Sequence, residues 1–178
     1  DWEGIEHQDN IVEAVRWLRQ AAPFTIHQVR ILGISLGSAS AVGAAKQLAQ
    51  SGEPVSWLVD WNGPHDRKAM AESLTKHGIA PSRHQTDHAF WEPREAVKHV
   101  GDIQAGYWRV QTRPTPPQDT QPLHLEMINA AAQGQLPWFQ LNEHPINQVP
   151  TSMVYPRTGQ LKTNRTLRRA ISLAISRG

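Results

Sequence analysis

Apolar residues recur at helical spacing near the start of the chain, at Ile11, Val12, Val15, Leu18 and Ala22, with Glu13, Arg16 and Arg19 on the other side. The pattern predicts an amphipathic helix from about Asp9 to Ala22, N-capped by Asp9 or Asn10 and ended by Pro23. Gln28 to Leu32 reads as a short strand that stops at Gly33, and the Ala-, Gly- and Ser-rich run from Ser35 to Gln50 as a helix closed by Ser51 and Gly52. A second strand is expected over Pro54 to Asp60, followed by the turn Trp61-Asn62-Gly63-Pro64. Residues 65–101 are polar with weak periodicity and are expected to form a cap-like or irregular excursion between two core strands. Tyr107 to Gln111 is the third strand, Thr112 to Pro122 a proline-rich loop, and Leu123 to Gln133 a helix. A fourth strand, Leu136 to Leu141, ends at Asn142-Glu143-His144, and a last helix spans about Thr166 to Arg177. Strands alternating with helices predict an α/β class: one domain over 1–178, three layers in αβα order, with a mostly parallel sheet.

Composition narrows the field without changing that picture. The 178 residues, 39% of them hydrophobic and 19% charged, are enough to bury one core. Eighteen Lys and Arg against sixteen Asp and Glu leave a formal charge of +2, too small to point to nucleic acid or a membrane surface as partner. The one basic cluster, Lys162, Arg165, Arg168 and Arg169, reads as a solvated helix face. No run approaches the roughly 18 apolar residues of a membrane span. The absence of cysteine excludes disulfides, thiolate metal sites and a cysteine nucleophile. The seven tryptophans are read mainly as packing residues, with Trp61 and Trp91, placed in loops, as the two that line an acyl or sugar pocket if any do.

The most specific signal is Gly33-Ile34-Ser35-Leu36-Gly37, a G-x-S-x-G where a strand ends and a helix begins. A serine on so sharp a turn adopts strained backbone angles, and Gly33 and Gly37 are expected to be small because neighbouring backbones pass close to them. The turn also sets the Leu36 N–H at a helix N-terminus, where it can donate to an oxyanion. A plain turn and a dinucleotide cradle are the rival readings; the cradle needs a glycine where Ser35 stands.

A serine nucleophile requires a base and an acid that orients it, in the chain order serine, acid, histidine, on loops after strand ends. Nine histidines are present, and His144 is the one directly after a late strand. Those at 65, 77, 84, 88 and 99 are read as solvated or structurally bonded, as is His124 within a helix. For the acid, Asp119 in the loop after the third strand ranks ahead of Asp66, and Asp60 is a further alternative; Glu143 is read as a surface residue. No metal or organic cofactor is expected.

With these residues in hand, the sequence resembles the α/β-hydrolase superfamily, in particular its bacterial esterase-like and lipoprotein-like members. The likeness rests on the helix Ile11 to Leu18, the turn Gly33 to Gly37, Trp61 to Pro64, Tyr107 to Gln111 and Leu125 to Ala131. The resemblance implies that the four strands match the fifth to eighth of that fold. It further implies that about 80 to 100 residues bearing the early strands and a second oxyanion donor would precede Asp1, making the chain a fragment. Relatives carry an Asp-His pair near the place held here by Thr115-Pro116. The expected activity is a serine hydrolase acting on a small carboxylic ester through Ser35, His144 and Asp119. The alternative is a hydrolase-like module that binds a ligand or a protein without catalysis. The resemblance leans toward secreted or periplasmic proteins.

Overall fold

The computed structural model describes residues 5–61, 63–76, 88–111 and 121–143. Helix α1 (Ile5–Ala21) leads into strand β1 (Arg30–Ile34), and after a two-residue turn helix α2 (Gly37–Gln50) returns to β2 (Trp57–Trp61). Three short helices follow, α3 (Arg67–Lys76), α4 (His88–Trp91) and α5 (Ala96–His99), before β3 (Gly106–Gln111), α6 (Gln121–Gln133) and β4 (Phe139–Glu143). The four strands lie in the order β1-β2-β3-β4, every neighbouring pair parallel. All carboxyl ends therefore emerge at one edge, the edge where parallel α/β sheets place their ligands.

Alternation along the strands divides the sheet's side chains between two faces. Leu58 and Tyr107 point toward α1, α2 and α6, where they join Val12, Val15, Val42, Leu48, Met127 and Ala131 in the main core. Trp57, Val59, Trp61, Trp108 and Val110 form a second cluster on the opposite face. Helix α2 presents Ala39, Ala41, Ala44 and Ala45 to the core, and these short side chains let it lie close on the sheet. Gln8 reaches from α1 to α2, and its amide donates to the Pro93 carbonyl at 2.8 Å.

Several sequence expectations shift. Helix α1 begins at Ile5, so Asp9 and Asn10 sit inside it and neither is an N-cap; the apolar periodicity marks the buried stripe, and a polar lead-in does not stop the helix from extending upstream. Strand β1 continues through Gly33 to Ile34. The 65–101 stretch is helical over its described residues and contributes Met70, Trp91, Ala96 and Val100 to the main core. Its periodicity is weak because it is cut into helices of four to ten residues. Trp61 and Trp91 are not loop residues: the first ends β2, the second ends α4, and both are buried. The helix expected over about 166 to 177 lies outside the described residues.

Candidate functional site

The turn between β1 and α2 is two residues long, Ser35 and Leu36. Ser35 has φ 55°, in the left-handed region that costs a non-glycine residue about 1–3 kcal/mol. The conformation is held from three sides. The Ser35 N–H donates to the Trp61 carbonyl at 2.8 Å, extending the β1–β2 ladder past the strand end. The Ser35 and Leu36 carbonyls accept from the Ser38 and Ala39 N–H groups at 3.1 and 3.2 Å, which starts α2. Ser35 is half-buried just beyond the end of β1. Among the described residues, the Leu36 N–H meets no backbone acceptor, and it stands at the amino end of α2 as an oxyanion donor must.

The two glycines of the turn differ. A Cβ on Gly33 would lie 2.5 Å from Ser38 Cα and 2.9 Å from Ala41 Cβ, so only glycine lets α2 approach β1. A Cβ on Gly37 would meet nothing within 4 Å. The expectation that both must be small for packing therefore holds for Gly33 and fails for Gly37, whose Cβ direction is open space.

Beside this turn runs a row of residues in register across the sheet: Gly33 on β1, Asp60 on β2 and Arg109 on β3. Asp60 and Arg109 are each 1% exposed, and the guanidinium donates to Asp60 Oδ2 at 2.5 Å. The Tyr107 hydroxyl donates to the same oxygen at 2.6 Å, and the Gly63 N–H to Oδ1 at 3.3 Å. Arg109 then donates to the Gly63 carbonyl at 2.7 Å, closing the bracket. Burial opposes the charge on Arg109, but Asp60 and Tyr107 more than offset it and hold the guanidinium above its ordinary range. Burial and then the Asp60 charge push the Tyr107 hydroxyl well above the usual phenol value, so it stays a donor. Asp60, a candidate acid in the sequence, is thus the partner of Arg109. The signal was present, since two charged residues in the middle of apolar strands at facing register positions must pair if both are buried.

The other candidate acid with described coordinates, Asp66, caps α3: its Oδ1 accepts from the Ala69 N–H at 2.6 Å. His65, beside it, is 3% exposed, and its carbonyl accepts from the Val97 N–H at 2.9 Å. Burial, and next the Arg109 charge, lower the pKa of the His65 imidazole, so the ring is neutral at pH 7. One donor atom each from His65, Asp66 and Glu126 lie within 4.8 Å of one another. Nothing in the sequence marks His65 and Glu126 for chemistry, because residues 61 positions apart come together only through the fold. His99 is bonded to the Glu92 carbonyl at 2.7 Å and to Lys46 at 2.9 Å, the structural role expected of it. His144 and Asp119 lie outside the described residues.

No family model matches the sequence. No curated protein matches it either. Solved structures do match. A puromycin-hydrolysing peptidase of Mycobacterium tuberculosis aligns at a TM-score of 0.59 and 17% identity, over 80% of this chain and 22% of that one. Dipeptidyl peptidase 4 of Porphyromonas gingivalis aligns at 0.63 and 13% identity, over 94% of this chain and 22% of that one. An esterase of Pyrococcus furiosus aligns at 0.50 and 14% identity, over 76% of this chain and 51% of that one. The chain thus spans about a fifth of the two peptidases and half of the esterase. With its parallel sheet, its strained serine turn and these neighbours together, the chain has the α/β-hydrolase fold.

Proposed function

We propose that the chain carries the nucleophile of a serine hydrolase that cleaves an acyl bond, with a carboxylic ester as the substrate class. The observation that carries this reading is Ser35 itself, a non-glycine residue held at φ 55° with a half-buried side chain at the carboxyl edge of a parallel sheet. Strain of this kind persists only where the surroundings enforce it, and it accumulates where a side chain must be presented to a substrate. The solved neighbours include peptidases and an esterase, which supports acyl transfer as the reaction type.

In this mechanism Ser35 Oγ attacks the carbonyl carbon while His144 takes its proton. The oxygen that becomes negative receives the Leu36 N–H. His144 returns the proton to the leaving alcohol as the C–O bond breaks, and water then repeats the sequence to release the acid. His144 directly follows the last residue of β4. Because β4 is three strands from β1, about 14 Å at the usual strand spacing, the chain beyond β4 must return across the sheet edge for the base to reach Ser35. Asp119, between β3 and α6, is the acid we assign. Asp60 is the weaker choice, since its carboxylate already serves Arg109, Tyr107 and Gly63.

Labelling with a fluorophosphonate tests the assignment. The longest natural chain that contains this sequence should react covalently at Ser35, and Ser35→Ala should abolish both labelling and ester turnover. A folded sample that does not label, with biological activity unchanged in Ser35→Ala, would overturn the assignment in favour of a non-catalytic binding module.

A further inference from the structure

We propose that His65, Asp66 and Glu126 form a binding site for a first-row divalent cation, Zn2+ being the best fit, which ties α6 to the connection leaving β2. The three residues offer donor atoms within 4.8 Å of one another. Ligand atoms around a tetrahedral zinc, at about 2.0–2.2 Å from the metal, stand about 3.3 Å apart, so the group is slightly open. Glu126 is exposed on α6, and a change of side-chain rotamer would close it. The two other ligands are fixed: the backbone of His65 is pinned by Val97, and Asp66 by its cap on Ala69 and by its carbonyl, which accepts from the Met70 N–H at 2.9 Å. A carboxylate has about four acceptor directions, so the cap leaves Asp66 able to bind a cation.

The donor chemistry selects the ion. Ca2+ and Mg2+ take oxygen ligands almost exclusively, whereas imidazole with two carboxylates suits zinc and its neighbours. Arg109 is paired with Asp60 at 2.5 Å, which offsets part of its repulsion toward a cation at His65. Three protein ligands leave one position for water. The cation would close the chain between residues 66 and 126, bracing the two connections on either side of β3.

The test uses the untagged chain, stripped with chelator and titrated calorimetrically with Zn2+. One equivalent should bind and raise the melting temperature, while Mg2+ does neither. Asp66→Asn keeps a capping side chain on α3 and Glu126→Gln changes an exposed position, so both should melt like the parent in chelator. Each should bind Zn2+ at least about tenfold more weakly, and Ser35→Ala should bind it normally. The proposal is overturned if the parent shows no saturable Zn2+ binding, or if Asp66→Asn and Glu126→Gln both bind as tightly as the parent.

Discussion

Two turns leave adjacent strands side by side at the carboxyl edge of the sheet, and they are built on opposite principles. The turn after β1 leaves Ser35 half-buried at the edge and keeps it in a left-handed backbone conformation. The turn after β2 folds inward: Gly63 and His65 are buried, and the Gly63 backbone completes the bracket around Asp60 and Arg109. The two touch, since a Cβ on Gly63 would run into the side chain of Ser38 on the first turn of α2. The difference shows how a strained residue at the sheet edge is kept in place. The strain of one turn is held by hydrogen bonds to a strand whose own end is clamped by a buried ion pair.

If that dependence is real, the largest effect should come from the bracket and not from the turn that displays the serine. Arg109→Met leaves the Asp60 carboxylate buried with Tyr107 and the Gly63 N–H as its donors among the described residues. Breaking a buried pair by removing one partner costs about 3–5 kcal/mol, so Arg109→Met should lose that much stability in urea unfolding. Replacing both partners, as in Asp60→Leu with Arg109→Met, should recover a large part of the loss. A single variant as stable as the parent would show that the bracket does not hold the edge.

Next in size are the two crowded glycines. Gly33→Ala drives a methyl to 2.5 Å from Ser38 Cα, and Gly63→Ala drives one to 2.6 Å from Asp60 Oδ1. Backbone must shift in each case, at a cost of about 1–3 kcal/mol. The comparison is sharpened by what happens to Ser35. Gly33→Ala moves the amino end of α2 and should slow fluorophosphonate labelling more than its stability loss explains. Gly63→Ala meets the Ser38 and Asp60 side chains and not the backbone of α2, and should slow labelling less. Equal effects on labelling would mean that the two turns move as one body.

How much of this was legible beforehand follows from which interactions are local. The strand, sharp turn and small-residue helix around Ser35 are written in consecutive residues, and both the parallel order and the turn were readable from them. The start of α1 at Ile5 and the helices within 65–101 were not, because a weak or short apolar pattern is decided by what it packs against. The Asp60–Arg109 pair and the His65, Asp66 and Glu126 group depend on register and topology, and no spacing along the chain encodes them. The sequence also made Gly37 look like a twin of Gly33, since a motif records residue identity and not the space around it.

Gly37→Ala gives the smallest change and separates those twins. Gly37 is the first residue of α2, its φ lies outside the left-handed region, and a Cβ there meets nothing within 4 Å. Alanine restricts the unfolded chain and favours the helix, so the variant should gain about 0.4–1 kcal/mol in the same unfolding measurement. A loss of stability would mean that Gly37, like Gly33, is needed for packing. The labelling rate then distinguishes two reasons for a glycine at an open position. If Ser35 reacts as in the parent, Gly37 is free to vary and the packing demand of the turn rests on Gly33 alone. If the protein is more stable yet labels slowly, the open space over Gly37 is where the acyl group approaches, and the glycine belongs to the substrate and not to the fold.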